Sequence, residues 1–176
     1  MNWTQILKNE IETAYTTTAR LLDKVSPNSL NWKPESGSNW MTVGQLLKHI
    51  SNACGAGCKG FVTGDWGLPA GIKVEDLPPE EMLPPAEKLP AIECIEEAKR
   101  LLSEDKALAI QMIDQAGESD LATKKIAAPW APGVECELGW HLLQMVQHLD
   151  RHKSQLFYYL KLPGTPVTTA DLWGGS

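Results

Sequence analysis

Three of the four histidines in the chain have a spacing that suits one shared metal ion. His148 and His152 are four residues apart in MVQHLDRHKSQ, so on a helix they lie one turn apart on the same face. His49, in QLLKHIS, lies far earlier in the chain, in another segment with a helical pattern. Imidazole is the commonest ligand for zinc, copper, nickel and iron near neutral pH. Three protein ligands leave a coordination position for water or substrate, which is typical of a catalytic metal site rather than a structural one.

A structural role for the same histidines is the alternative that the spacing leaves open. A single buried histidine on an apolar helix more often forms a hydrogen bond in the core than binds a metal, and an HxxxH pair can arise by chance on a long helix. The metalloprotease pattern HExxH is absent, because Leu149 and Asp150 follow His148. No glutamate therefore stands beside the pair as a general base.

The fourth histidine, His141, is not expected to join this group. It precedes His148 by seven residues and shares roughly its helix face. At 1.5 Å per residue it lies about 10 Å away along the helix axis, which is too far for one metal ion.

Polar neighbours of the histidines are candidates for orienting an imidazole or a bound water. Gln45 lies one turn before His49, and Gln155 follows His152 by three residues. The alternative, which we favour, is that both are exposed amides. Nothing in the sequence places Tyr15 of the first helix in the same cleft.

Cys54 and Cys58 are also four residues apart, so a second metal site is conceivable. We favour a packing role instead, because the surrounding small residues, among them Gly55 and Gly57, would let another helix approach closely. Four cysteines in a chain of 176 residues do not establish a disulfide framework, and we expect them to stay reduced.

Composition narrows the classes of function. The formal charge of −6 and the dispersed lysines and arginines argue against a nucleic-acid binder and a membrane anchor. The first ten residues, MNWTQILKNE, contain no apolar core of a secretory signal, and no stretch approaches the roughly 18 apolar residues of a membrane span. We therefore expect a cytoplasmic protein with no nucleic-acid or membrane partner.

Hydrophobic periodicity predicts an all-α chain that forms a single domain over residues 1–176. No segment makes a convincing strand. The four predicted helices and the tail that follows them cover residues 3–25, 42–63, 90–116, 137–162 and 163–176.

Local signals support the ends of these helices. Thr42 and Gln45 form a capping-box pattern at the start of the second helix, and Gly117 suits the end of the third. The proline-rich segment 64–88 between these helices is long for a loop in a compact domain. It is expected either to cover a site or to cross between halves of a bundle.

Three motifs together resemble the DinB-like family of helical bundles, which includes YfiT-like proteins. They are TVGQLLKHI at 42–50, HLDRHKSQLFYYL at 148–160 and TTADLWG at 168–174. The resemblance implies a four-helix bundle with a long crossover loop, a homodimer, and a metal-binding triad at His49, His148 and His152. Where the family often has Arg-Gly after the last histidine, this chain has Lys153 and Ser154.

The same resemblance implies a metal-dependent enzyme of the thiol S-transferase or hydrolase type. Characterised relatives include transferases that use bacillithiol or mycothiol, and a thiol-dependent isomerase. A small-molecule substrate or a low-molecular-weight thiol would then be the partner, and water or a thiol at the metal would react. No side chain is assigned as catalytic. The alternative is a non-catalytic metal-binding or dimerising helical module.

The metal and the substrate are less constrained than the ligands. Three histidines and a water suit a divalent ion, and we expect zinc or nickel ahead of iron or copper. The chain has neither a GxxxxGK[ST] phosphate loop nor a GxGxxG dinucleotide motif, and it has no GxSxG nucleophile elbow. Phosphoryl transfer and nicotinamide chemistry are therefore disfavoured.

Overall fold

The computed structural model describes residues 2–82 and 84–174, and most of them are helical. The helices are α1 (Trp3–Leu22), α2 (Val43–Ile50), α3 (Gly55–Thr63), α4 (Pro79–Met82), α5 (Ile95–Thr123), α6 (Leu138–Lys161) and α7 (Thr169–Trp173). Within these described ranges, no helix has both the length and the apolar character that crossing a membrane requires.

The long helices form the predicted all-α bundle. α1 packs against α5 and α6, and α3 packs against the same two helices from the other side. α1 and α3 therefore lie on opposite corners, and their apolar faces meet in one core. Fully buried side chains from all sides fill that core: Leu7, Ile11, Leu21, Leu46, Leu47, Ile50, Ile113, Leu121, Leu138 and Leu142.

The prediction of one continuous second helix over 42–63 is wrong, because the structure has two helices, α2 and α3, separated by a bend at residues 51–54. Its start is confirmed: the Thr42 hydroxyl accepts from the Gln45 amide, and the Gln45 side chain accepts from the Thr42 amide. The break follows from a core carboxylate. Asp105 on α5 accepts hydrogen bonds from the backbone amides of Cys54 and Ala56, at 3.2 and 3.1 Å, and so begins a new helix there.

The third helix begins later than predicted, and its regular conformation breaks at Gly117, as predicted, before a further short helical segment. α5 starts at Ile95 because residues before it are extended, and the Ile92 amide donates to the Gly44 carbonyl at 3.0 Å. Gly117 does leave the helical conformation, with φ 69° and ψ 164°, but helical structure resumes and continues to Thr123. Gly117 thus ends the first helical segment of α5, and the continuation to Thr123 is the part that the sequence did not predict.

The prediction that the chain contains no strand was also wrong. Lys125–Ala127 (β1) and Glu135–Glu137 (β2) form an antiparallel pair in which Ile126 lies opposite Cys136. Each strand has three residues, which is too short for an alternating pattern to be recognised in the sequence.

The remaining segments follow the predictions more closely. α1 ends at Leu22, three residues before the predicted end at 25, and two tighter turns continue to Val25. α6 lies within the predicted segment 137–162. Segment 64–88 crosses from α3 to α5 and contains α4; Leu83 lies outside the described residues. The predicted tail, 163–176, contains α7, and its last two residues also lie outside them.

Candidate metal centre

Helices α2 and α6 bring the three predicted histidines together. The Nε2 atom of His49 lies 3.1 Å from the Nε2 atom of His148 and 3.1 Å from that of His152. The candidate ligand atoms of the three residues all lie within 4.8 Å of one another. The capping box at Thr42 fixes the start of α2, and the four-residue spacing on α6 places His148 and His152 on one face. Two helices distant in sequence thus present three imidazoles to one point.

The outer nitrogens of two rings are held by acceptors. His148 donates from Nδ1 to the Ala53 carbonyl at 3.1 Å, and His152 donates from Nδ1 to the Gln155 side-chain oxygen at 2.9 Å. A neutral imidazole that carries its proton on Nδ1 has a lone pair on Nε2. Both Nε2 atoms on α6 therefore present lone pairs toward His49.

These contacts fit a metal ion better than a hydrogen-bonded cluster. A proton on His49 Nε2 can be donated to His148 or to His152, but it leaves the other lone pair without a donor. One cation among the rings would accept all three lone pairs. Four ligands arranged tetrahedrally around zinc at its usual Zn–N distance lie about 3.3 Å apart, close to the spacing of the His49 contacts. The residues present therefore fit a divalent metal with three imidazole ligands.

The electrostatics of the cluster keep the imidazoles neutral. Burial, followed by the charges of the two neighbouring histidines, lowers the pKa of His49 to about 4. Burial and the charge of His152 lower the pKa of His148 to about 4, against the opposing effect of its bond to Ala53. Burial also lowers the pKa of His152. Neutral imidazoles can bind a metal at pH 7 without first releasing protons.

Gln155 orients the ring of His152, so the exposed amide that we favoured from the sequence is wrong for this residue. Its oxygen accepts from His152, and its nitrogen donates to the Tyr159 hydroxyl at 3.4 Å. Tyr159 in turn donates to the Met41 carbonyl at 3.1 Å, and its ring packs edge-on against Trp32. This chain of contacts fixes the side chain of Gln155 and, through it, the ring of His152.

The two other polar candidates have different roles. Gln45 bonds the Leu89 carbonyl at 2.8 Å and caps α2, so it does not orient His49. Tyr15 donates to Asp105 at 2.6 Å in the core, away from the cleft.

Cys54 and Cys58 are fully buried, with Sγ atoms 4.0 Å apart, beside glycines that allow close helix packing. Among the residues that the structure describes, only the three histidines form a cluster suited to a metal ion.

Two groups that matter to the site were missed in the sequence. The Ala53 carbonyl orients His148, and a backbone group leaves no mark in a side-chain pattern. Asp105 holds the bend that presents this carbonyl. Its signal was available, because an acidic residue occupies the apolar stripe of α5 between Leu102 and Ala109, and it is only 4% exposed.

Two cavities reach the cluster. One, of about 490 Å³, has His148 on its wall and is otherwise mainly aromatic and apolar. The other, of about 420 Å³, has His49 on its wall together with Lys48 and Ser51. Asn52 contributes to both. The histidine cluster can therefore be approached from an apolar side and from a more polar side.

Comparison with known families agrees with the resemblance noted above. The family model described as the DinB superfamily matches residues 10–156, a range that contains all three clustered histidines. No curated protein matches the chain.

Proposed function

This chain belongs to the DinB superfamily, and we propose that it binds one divalent metal ion through His49, His148 and His152 and uses it in catalysis. The reaction that we propose is thiol S-transfer or hydrolysis. The observation that carries the proposal is the meeting of three neutral imidazole nitrogens at one point, with two of them held in the ligating tautomer by hydrogen bonds.

Each residue of the cluster has a defined part in holding the ion. His49, His148 and His152 supply the lone pairs, while Ala53 and Gln155 fix the ring orientations on α6. Burial lowers the pKa of His49 and His148 to about 4 and so keeps these rings neutral at pH 7. A divalent ion bound there would supply Lewis acidity and would lower the pKa of a water or thiol bound to it.

The two cavities favour transfer between two substrates over hydrolysis. A transferase must bring a thiol and a second reactant to the same ion, and cavities at His148 and at His49 offer separate approaches. A hydrolase needs only one organic substrate and water. We propose zinc or nickel as the metal. Imidazole ligands also suit iron and copper, and the ion that is bound depends on metal supply.

Metal content per chain tests the proposal. Wild-type protein is reconstituted separately with zinc, nickel and iron, and the metal is measured by elemental mass spectrometry beside a folded His148→Ala/His152→Ala variant. We expect nearly one ion per chain in wild type and almost none in the variant. His141→Gln is the matched control, since His141 bonds the Ile126 carbonyl outside the cluster, and it should retain the metal. An empty wild type, or a variant that keeps its metal, would contradict the proposal.

Activity separates the enzyme from a non-catalytic metal-binding or dimerising module. Substrate-dependent consumption of a low-molecular-weight thiol in the metal-loaded protein, lost in the three single histidine-to-alanine variants, supports the transferase. Release of product without thiol consumption supports the hydrolase. Metal binding with neither activity across a broad substrate screen supports the module. The homodimer stays a prediction, which light scattering on the purified protein would test.

A further inference from the structure

Aromatic rings from separate parts of the chain form the wall of the cavity beside His148. Phe61 lies with its ring centroid 5.0 Å from Trp66 and 5.7 Å from Trp130, and it stacks on His141 at 4.5 Å. Trp140 contacts the edge of His141 at 5.3 Å. These rings come from α3, the segment after it, the β1–β2 connection and the start of α6, so only the folded chain assembles them.

The aromatic wall is held in place before any ligand arrives. His141 donates to the Ile126 carbonyl of β1 at 2.9 Å, which ties the strand pair to α6. Gly60 lets the Trp66 ring lie directly on α3, because a Cβ atom at that position would overlap the ring. A preformed pocket binds its ligand without the entropic penalty of ordering side chains.

Two tryptophans of this wall are left in contact with solvent. Trp130 is 47% exposed and Trp140 is 43% exposed, and both line the cavity. Grouped aromatic surface of this kind marks binding sites in soluble proteins. A volume of about 490 Å³ is in the range of small-molecule pockets, so one organic molecule with a ring system can occupy it.

One positive charge lies at the His148 end of the cavity. Arg151 lines it and is three residues after His148, on the same side of α6. Over residues 2–82 and 84–174, Arg151 forms no ion pair, and no acidic side chain lines this cavity. The chain as a whole is acidic, with a formal charge of −6, so this positive rim is a local feature. A guanidinium binds a carboxylate, sulfonate or phosphate group and also stacks on planar rings.

We propose that this cavity binds one planar aromatic molecule that carries an anionic group. The ring system lies among Phe61, Trp130 and Trp140, and the anionic group lies at Arg151. This places the polar end of the molecule beside His148. The proposal deepens the proposed function, on which it rests for one part only: that the bound molecule is the substrate delivered to the metal.

Two naphthalene probes test the binding site directly. 1-Anilinonaphthalene-8-sulfonate is anionic, and N-phenyl-1-naphthylamine has the same ring system without the sulfonate. Each is titrated by fluorescence into the full chain, both chelator-treated and zinc-loaded. We expect one site per chain for each probe, mutual displacement, and tighter binding of the anionic probe.

Three variants separate the contributions of charge and rings. Arg151→Glu should weaken the anionic probe by about tenfold or more and change the neutral probe by less than about twofold. Val134→Glu, on the exposed rim, should act in the same direction and should leave folding intact, because Val134 is 61% exposed. Trp130→Ala/Trp140→Ala should weaken both probes by about tenfold or more. Arg100→Glu on α5 and Trp173→Ala on α7 are the matched controls and should change neither.

Several results would overturn the proposal. One is an equal loss of affinity for both probes in Arg151→Glu. Another is unchanged affinity in the folded Trp130→Ala/Trp140→Ala variant. A third is the binding of several probe molecules per chain. A wild-type dimer, seen by light scattering, that binds neither probe would show that a second copy of the chain covers the rings instead.

Metal content measured on the same samples distinguishes this proposal from the proposed function. Probe binding without any metal leaves the cavity proposal standing while the metal site fails, and a loaded metal site without probe binding gives the reverse. Copper(II)-loaded protein tests the delivery step. We expect the copper ion to broaden the resonances of the bound anionic probe in wild type and not in the His148→Ala/His152→Ala variant. Unbroadened resonances in copper-loaded wild type would show that the molecule does not reach the ion.

Discussion

The Nδ1 atom of His148 lies 3.1 Å from the carbonyl oxygen of Ala53, in the bend that separates α2 from α3. The bond fixes the imidazole tautomer with its lone pair toward His49. Asp105 stabilises the same bend from the core, because its carboxylate accepts from the amide of Cys54, the residue after Ala53. A buried acidic side chain on α5 is thus connected to the His148 ring on α6 through a single peptide unit, the one that joins Ala53 to Cys54.

Replacing Asp105 with alanine should lower the free energy of unfolding by about 3 kcal/mol. The change leaves the Tyr15 hydroxyl and the amides of Cys54 and Ala56 without their acceptor, and each buried unpaired donor costs about 1–3 kcal/mol, with incomplete additivity. Urea denaturation of the metal-free protein measures it. Asp114→Ala is the control: Asp114 pairs with Lys8 at the surface, and its loss should cost less than about 1 kcal/mol. Equal effects of the two variants would show that the Asp105 network contributes little.

Gln155→Met should weaken metal binding by about 10- to 100-fold, because it removes the acceptor that orients His152. Competition with a chromophoric chelator measures the dissociation constant. Gln155→Glu keeps an acceptor oxygen and should stay close to wild type. Gln147→Met is the control on the same helix, since Gln147 bonds Gln144 and not a histidine. If Gln155→Met binds metal as tightly as Gln147→Met, the orienting role is wrong.

Gly55→Ala should destabilise the protein by about 2–3 kcal/mol, whereas Gly57→Ala should cost less than about 1 kcal/mol. A Cβ at Gly55 would overlap the backbone oxygen of Asp105, which cannot move without shifting α5. A Cβ at Gly57 would meet the flexible side chain of Met145, which can change rotamer. Thermal and urea denaturation of the two variants check the order. The reverse order would mean that α3 and α5 are not packed as closely as described.

Metal-free protein should lose stability as the pH falls from about 6.5 toward 4. Burial lowers the pKa of His49 and of His148 to about 4, so in this window the unfolded chain takes up protons that the folded chain does not. Protonation then favours the unfolded state, and the loss levels off below the folded pKa. Urea midpoints across this range, compared with those of His49→Gln/His148→Gln, measure the effect. The variant should show a shallower dependence, and parallel curves would contradict the assignment.

Short-range patterns predicted the His148–His152 pair and the main helices because their physical causes are local. The four-residue spacing of His148 and His152 specifies one helix face, and the Thr42–Gln45 box specifies where the helix carrying His49 begins. Apolar positions that recur every three or four residues predicted α1 and α6 to within a few residues. The resemblance to the DinB-like family joined these segments into one bundle, which the family match agrees with.

The sequence by itself therefore determined that His148 and His152 share one helix face, since spacing on a helix depends only on the backbone repeat. The placement of His49 beside them depends on how α2 packs against α6. The tertiary structure alone decided the break at residues 51–54, the β1–β2 pair and the aromatic cavity. The strand pair, in which Ile126 lies opposite Cys136, is made of segments too short to show a strand pattern. The break and the cavity depend on contacts between residues far apart in the chain, Asp105 with Cys54 and Phe61 with Trp130. Such contacts form only when packing brings the segments together, and no local pattern records them.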